Sequence, residues 1–114
     1  MDAELNDSPT AQEIWQALPI AGRANTWWDE VYFEIPVRAE QAADAREDVE
    51  VGELGYWPVG SDLCIFFGPT PASSDEKPHA ASPVNVVGHV LGDATEFRQV
   101  SVGAMVTLSR VASG

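Results

Sequence analysis

The stretch Tyr56-Trp57-Pro58-Val59-Gly60-Ser61-Asp62-Leu63-Cys64-Ile65-Phe66-Phe67-Gly68-Pro69-Thr70-Pro71 decides the architecture of this 114-residue chain. Leu63 to Phe67 is an unbroken apolar run, the pattern of a strand buried on both faces. Proline and glycine on either side forbid its extension. Aromatic residues and rigid prolines cluster around it, where a small barrel can open a groove.

Working outward, Val31, Phe33, Ile35 and Val37 alternate with Tyr32 and Glu34, which predicts a strand with one apolar face. Pro36 has no backbone donor, so that strand lies at an edge or ends there. A helix is expected before it. Ser8 caps, Pro9 takes the first helical position, and Ala11, Ile14, Ala17 and Leu18 recur at helical spacing until Pro19 stops the run. Thr10 with Glu13 forms an alternative capping box. Residues 20 to 30 read as a polar loop, and 38 to 48 as a loop with a short helical turn.

On the C-terminal side, Val49 and Val51 mark a brief strand, and Leu54 to Trp57 another. Gly68 to Pro83 is the longest irregular stretch, either a functional loop or an exposed connection. Val84 to Leu91 reads as a strand in which Gly88 marks a bulge or a close backbone approach. Asp93 with Glu96 caps a short turn. Strands around Phe97 to Val102 and Ala104 to Val111, hinged at Gly103, complete the count. The sum is a single mainly β domain over residues 1 to 114: a closed antiparallel barrel with one N-terminal helix and short helical turns.

Eighteen acidic residues against six basic ones give a net charge of -12. Phosphate binding rests on Lys/Arg neutralisation, so nucleic acid and anionic membranes are not expected partners. The acids are dispersed, which suits either a merely acidic soluble protein or a shell adapted to a high-salt host. Cys64 is the only cysteine, so no intrachain disulfide forms, and its apolar setting favours burial over reactivity. No signal-peptide pattern and no apolar stretch of membrane-spanning length is present, so a cytoplasmic location is expected.

Metal chemistry needs converging ligands, and His79 and His89 stand apart in sequence with no second thiolate. There is no phosphate-cradling glycine loop and no nucleophile elbow, and no cofactor is implied. Asp29, Glu30 and Glu34 form the best carboxylate cluster for acid/base work; in so acidic a chain, chance also produces one.

Several motifs in order carry a resemblance: Asp7-Ser8-Pro9-Thr10-Ala11, Asn25-Thr26-Trp27-Trp28-Asp29-Glu30-Val31-Tyr32-Phe33, Tyr56-Trp57-Pro58, Ile65-Phe66-Phe67-Gly68-Pro69-Thr70-Pro71 and Ser82-Pro83-Val84-Asn85-Val86-Val87-Gly88. Together they resemble a small prokaryotic cyclophilin-like family of unassigned function over nearly the whole chain. The resemblance implies a cyclophilin-type barrel flanked by helices. It also implies an N-terminal strand, for which few residues remain before the helix, and a glycine where this chain has Trp28.

Prolyl isomerases lower a rotation barrier of about 18–20 kcal/mol by desolvating the prolyl ring and placing a donor near its nitrogen. Matched to cyclophilins on Ile35-Pro36, the isomerase arginine falls on Phe33. The pocket histidine falls on Val84 and the pocket tryptophan on His79, while Phe67 keeps the position of the aromatic floor. Arg23 is the remaining candidate donor, without evident fixation.

The leading expectation is therefore a binding module for a small molecule or an extended peptide, with no catalytic residues. Phe67 and Trp57 would supply apolar contact, Thr70 and Asn85 hydrogen bonds, and Tyr32 with Glu30 or Glu34 a polar wall. Each has a plainer reading: Trp57 and Phe67 as core, Asn85 as the tie of a bulge, Tyr32 as a solvent-facing ring, and the glutamates as acidic shell. Two alternatives remain, an isomerase with an altered site and a subunit of a homo-oligomer assembled through Trp27 and Trp28.

Overall fold

The computed structural model describes residues 1–111. In chain order the elements are β1 (Ala3–Leu5), α1 (Pro9–Ala17), β2 (Ile20–Arg23), β3 (Asn25–Thr26), β4 (Glu30–Glu34), β5 (Arg46–Asp48), β6 (Glu53–Trp57), β7 (Asp62–Phe66), β8 (His79–Val90), a 3₁₀ helix (Ala94–Gln99) and β9 (Met105–Leu108). No helix among the described residues is long and apolar enough to cross a membrane.

Seven strands form one sheet in the order β1-β8-β6-β7-β4-β3, with β5 pairing the first half of β8, and β2 pairs β9 in a separate ribbon. All the ladders are antiparallel. The expected closed barrel goes further than these ladders. The strand path ends at β1 and β3, and no ladder joins these two among the described residues.

Alternation along the strands separates two apolar clusters. Val31 and Phe33 of β4, Leu54 and Tyr56 of β6, and Leu63 and Ile65 of β7 point to the larger, inner cluster. Phe67, Ile35 and Val37 extend it beyond the strand ends. Ile14 of α1 and Ile20 of β2 close it, with Val106 and Leu108 of β9 packed alongside. The opposite face carries Cys64 and Phe66 of β7 with Val84 of β8, and Tyr32, Trp57 and Val86 pack against them. Every residue of β7 is therefore buried, as its unbroken apolar run requires.

The helix begins and ends where its sequence dictates. The Ser8 hydroxyl accepts from the Ala11 amide at 3.3 Å, Pro9 occupies the first turn, and the helix stops before Pro19. Thr10 is free of capping duty. Its hydroxyl instead accepts from the Asn85 amide at 3.1 Å.

Five local expectations are corrected. Residues 20 to 30 are not a loop: β2 and β3 lie there, because small residues let the backbone approach the inner core, Gly22 lying directly against the Phe33 ring and the Glu34 carbonyl. The N-terminal strand does exist as β1, three residues long, pairing Ala3 with Val90 and Leu5 with Gly88. A side chain at Gly88 would collide with the Glu4 carbonyl, so the glycine marks a close backbone approach. The brief strand near Val49 is displaced to the all-exposed Arg46–Asp48, a segment held by its ladder to β8, while Val49 is buried beyond its end. Strand β8 starts at His79, five residues earlier than expected, and Pro83 fits because the β5–β8 register shifts there. Phe97 to Val102 is no strand, since the 3₁₀ helix capped by Asp93 runs on to Gln99.

One polar contact ties the inner core to the chain that crosses its end. Tyr56 is fully buried; its hydroxyl donates to the Val37 carbonyl at 2.7 Å and accepts from the Ala39 amide at 3.1 Å. Tyr56→Phe strands both backbone groups and is expected to lower unfolding free energy by about 1–3 kcal/mol in urea denaturation. A loss within experimental error would show that the hydroxyl does not anchor this segment.

Candidate functional site

A cavity of about 160 Å³ opens on the outer face of the sheet. Its lining follows from strand register. Glu30 and Tyr32 of β4 stand opposite Phe66 and Cys64 of β7, so all four project to the same side. Trp57 ends β6 on that side, Ala80, Ala81 and Val84 of β8 roof the space, and Trp27 comes from the turn before β4. The Trp57 indole N–H donates to the Ser82 hydroxyl, which fixes the ring plane.

Gly55 sets the floor. A Cβ there would lie 2.8 Å from Val84 Cγ2 and 3.3 Å from Phe66 Cε2, so only glycine lets both side chains settle over the strand. The turn carrying Trp27 is bonded to the segment after β7. The Phe67 amide donates to the Asp29 carbonyl at 2.9 Å, the Asp29 amide to the Pro69 carbonyl at 3.2 Å, and the Asp29 carboxylate pairs with Arg98 at 3.2 Å.

Glu30 is the chemical centre of the cavity. It is 6 % exposed, and none of the ion pairs among the described residues involves it. Burial pushes its carboxyl up from 4.5 to about 7; the Cys64 thiol hydrogen bond pulls the other way, and the charge of Asp62 adds to the rise. Burial and the neighbouring Glu30 also push the Cys64 thiol well above its ordinary value, so it stays protonated at neutral pH and is no nucleophile. Asp62, at the far end of the same face, is raised by burial and by Glu34.

The structure brings three of the sequence-selected site residues together in this cavity: Trp57, Tyr32 and Glu30. Phe67 lies in the inner core, where its ring centroid is 6.3 Å from that of Phe97, and its neighbour Phe66 lines the cavity instead. Thr70 is buried in its own loop, bonded to the His79 carbonyl and Ser73. Asn85 is 2 % exposed and holds the 40 to 42 segment through the Ala42 amide and the Glu40 carbonyl. Glu34 is exposed beyond the cavity, opposite Asp62. Arg23 donates to the Gly103 carbonyl at 3.1 Å and is absent from the lining, and His79 sits between Asp48 and Glu47. Trp27, Phe66 and Cys64 went unselected in the sequence, although the alternation that put Tyr32 outward, carried across the β4–β7 register, assigns the last two.

An antiparallel sheet with a helix-covered inner core defines a small mainly β domain, and the aromatic cavity lies on its outer face. The chain belongs to the cyclophilin-like family, whose sequence profile matches residues 1–109. It is also similar to a hypothetical protein from Archaeoglobus fulgidus with a known solution structure, at 38 % identity and a TM-score of 0.79, covering 96 % of this chain and 85 % of that one. No curated protein matches it.

Two predictions follow from local energetics. A carboxyl raised to about 7 keeps its proton in the folded state after the unfolded chain has lost it. Stability therefore falls as pH rises from about 4.5 to about 7, by about 3 kcal/mol for Glu30, and is unaffected by this group outside that window. Glu30→Gln should flatten most of that slope and stabilise the protein at pH 8, as read by urea denaturation across pH. An unchanged slope would assign the titration elsewhere.

Trp28 occupies the left-handed region at φ 53° and is 70 % exposed, where the family resemblance places glycine. A side chain in that conformation costs about 1–2 kcal/mol. Trp28→Gly should therefore exceed Trp28→Ala in unfolding free energy by about 1 kcal/mol. Equal values would show that the turn relaxes without glycine.

Proposed function

We propose that this chain is a binding module whose outer-face cavity holds a small molecule or a single side chain of an extended peptide. The observation that carries the reading is an apolar, aromatic-walled cavity, already formed by strand register, with one buried carboxyl in its wall. An apolar cavity of about 150 Å³ accommodates benzene, so the occupant is one ring or an alkyl group of similar bulk. Trp57, Tyr32 and Glu30 carry the proposal together with Trp27 and Phe66. Phe67, Thr70, Asn85 and Glu34 stay outside it. The same reading takes the seven-stranded sheet, with the β2–β9 ribbon against its inner face, as the family's barrel.

Prolyl isomerisation asks for a fixed cation beside the aromatic floor. The lining offers a carboxyl in that role, which favours binding over isomerisation. A protease-coupled assay on a proline tetrapeptide in high salt should stay at the uncatalysed rate.

Trp27 and Trp57 report occupancy directly. Phenol should produce a saturable change in tryptophan fluorescence and a rise in melting temperature. Ala81→Trp, at an exposed position on the cavity mouth, should abolish both effects while leaving the unliganded melting temperature within a few degrees. If phenol, indole and benzamide all fail to saturate, the cavity is packing space and the reading falls.

A further inference from the structure

We propose that the ligand of this cavity is an organic ammonium ion, its alkylated nitrogen caged by Trp27, Tyr32, Trp57 and Phe66 and facing the Glu30 carboxylate. The inference rests on the cavity being a binding site and names the chemistry of its ligand. Aromatic faces carry negative potential and attract a cation set against them, most strongly when water is excluded and the ring is an indole. Two indoles, a phenol and a phenyl ring converge here on a space of about 160 Å³. A trimethylammonium group is of that scale.

A purely apolar ligand would leave one feature unexplained. A buried carboxyl without a cationic partner is destabilising, and hydrophobic packing alone would favour an uncharged residue at position 30. Among the described residues, the nearby cation Arg98 is bonded to Asp29 and the only lysine, Lys77, to Glu50. A cationic ligand supplies the counter-charge that the chain does not.

The lining also discriminates among cations. Calcium takes about 6–8 oxygen ligands and magnesium is reluctant to lose its water. No cluster of three metal-ligating side chains occurs among the described residues. A weakly hydrated alkylammonium needs no such shell, because its methyl groups pack on the rings while its charge acts through them. The net charge of -12 favours the approach of any cation.

Protonation of Glu30 opposes binding. The titratable groups that act on it are Cys64 and Asp62 of β7. Tyr32 shares its strand, and the lining from β6 and β8 contributes only Trp57, Ala80, Ala81 and Val84. Affinity for a cation therefore rises as pH passes upward through about 7, where Glu30 ionises. A neutral ligand of the same shape has no such dependence.

The test compares choline with its neutral isostere 3,3-dimethylbutan-1-ol, with phenol as the reference occupant, by calorimetry and tryptophan fluorescence on the full chain at pH 6 and pH 8. The inference expects choline to bind at least about tenfold tighter than the isostere at pH 8. It also expects that margin to shrink at pH 6, and to collapse in Glu30→Gln. Equal binding of choline and isostere overturns the ammonium inference and leaves the binding reading standing, as does phenol binding without choline binding. Failure of all three probes overturns both. Cooperative urea unfolding of Glu30→Gln at pH 8, with stability no lower than that of the parent chain, serves as the folding control, so loss of choline preference cannot be ascribed to an unfolded variant.

Discussion

A strand buried on both faces imposes the rest of this structure. Leu63 and Ile65 of β7 need apolar cover on one side, and Cys64 and Phe66 need it on the other. Neighbours β4 and β6 satisfy the backbone of β7 along its length, which puts it at the centre of the sheet and out of reach of solvent. The inner side is covered by α1 and the β2–β9 ribbon. The outer side has no such layer. There the sheet is covered by its own side chains and by the first half of β8, which pairs with β5 before the second half of the strand joins β6. A cavity results where that cover is incomplete.

That origin explains the unusual electrostatics. Glu30 starts β4 on the outer face, so register delivers a carboxyl to an apolar space rather than to water. Asp62 occupies the other end of the face, and Cys64 lies between them. Two acids and a thiol on adjacent strands, with no basic side chain in the lining, hold protons more tightly than their ordinary values predict. The balance of desolvation and charge tunes Glu30 close to neutrality, the range in which small changes in pH alter its state.

Strong periodicity was legible in the sequence, and weak periodicity was not. The Val31 to Val37 alternation and the Leu63 to Phe67 run both lie where they were read, Ser8, Pro9 and Asp93 act at the element boundaries they announce, and Gly88 marks a close backbone approach within β8. Strands β1, β2 and β5 escaped because their residues are polar or small and their pairing is supplied by distant partners: Gly88, Leu108 and Val84 respectively. The site was half legible. Tyr32, Trp57 and Glu30 come from chemistry and alternation, but the choice between Phe66 and Phe67 turns on a single residue of register, and such a step exchanges core for cavity. Trp27 depends on how a turn folds back over the sheet, which no local pattern encodes.

The alternation of side chains also separates two kinds of inheritance. Residues that hold the fold point inward, and residues that shape the cavity point outward from the same strands, so the two sets occupy interleaved positions and scarcely overlap. Substitutions in the outward set can change what the cavity accepts without unsettling the inner core, within the limit that Gly55 places on its floor. Descent can then preserve the path of the chain while the occupant is replaced. Two such domains can share every strand and have no ligand in common, and shared ancestry alone gives no guide to which molecule each one holds.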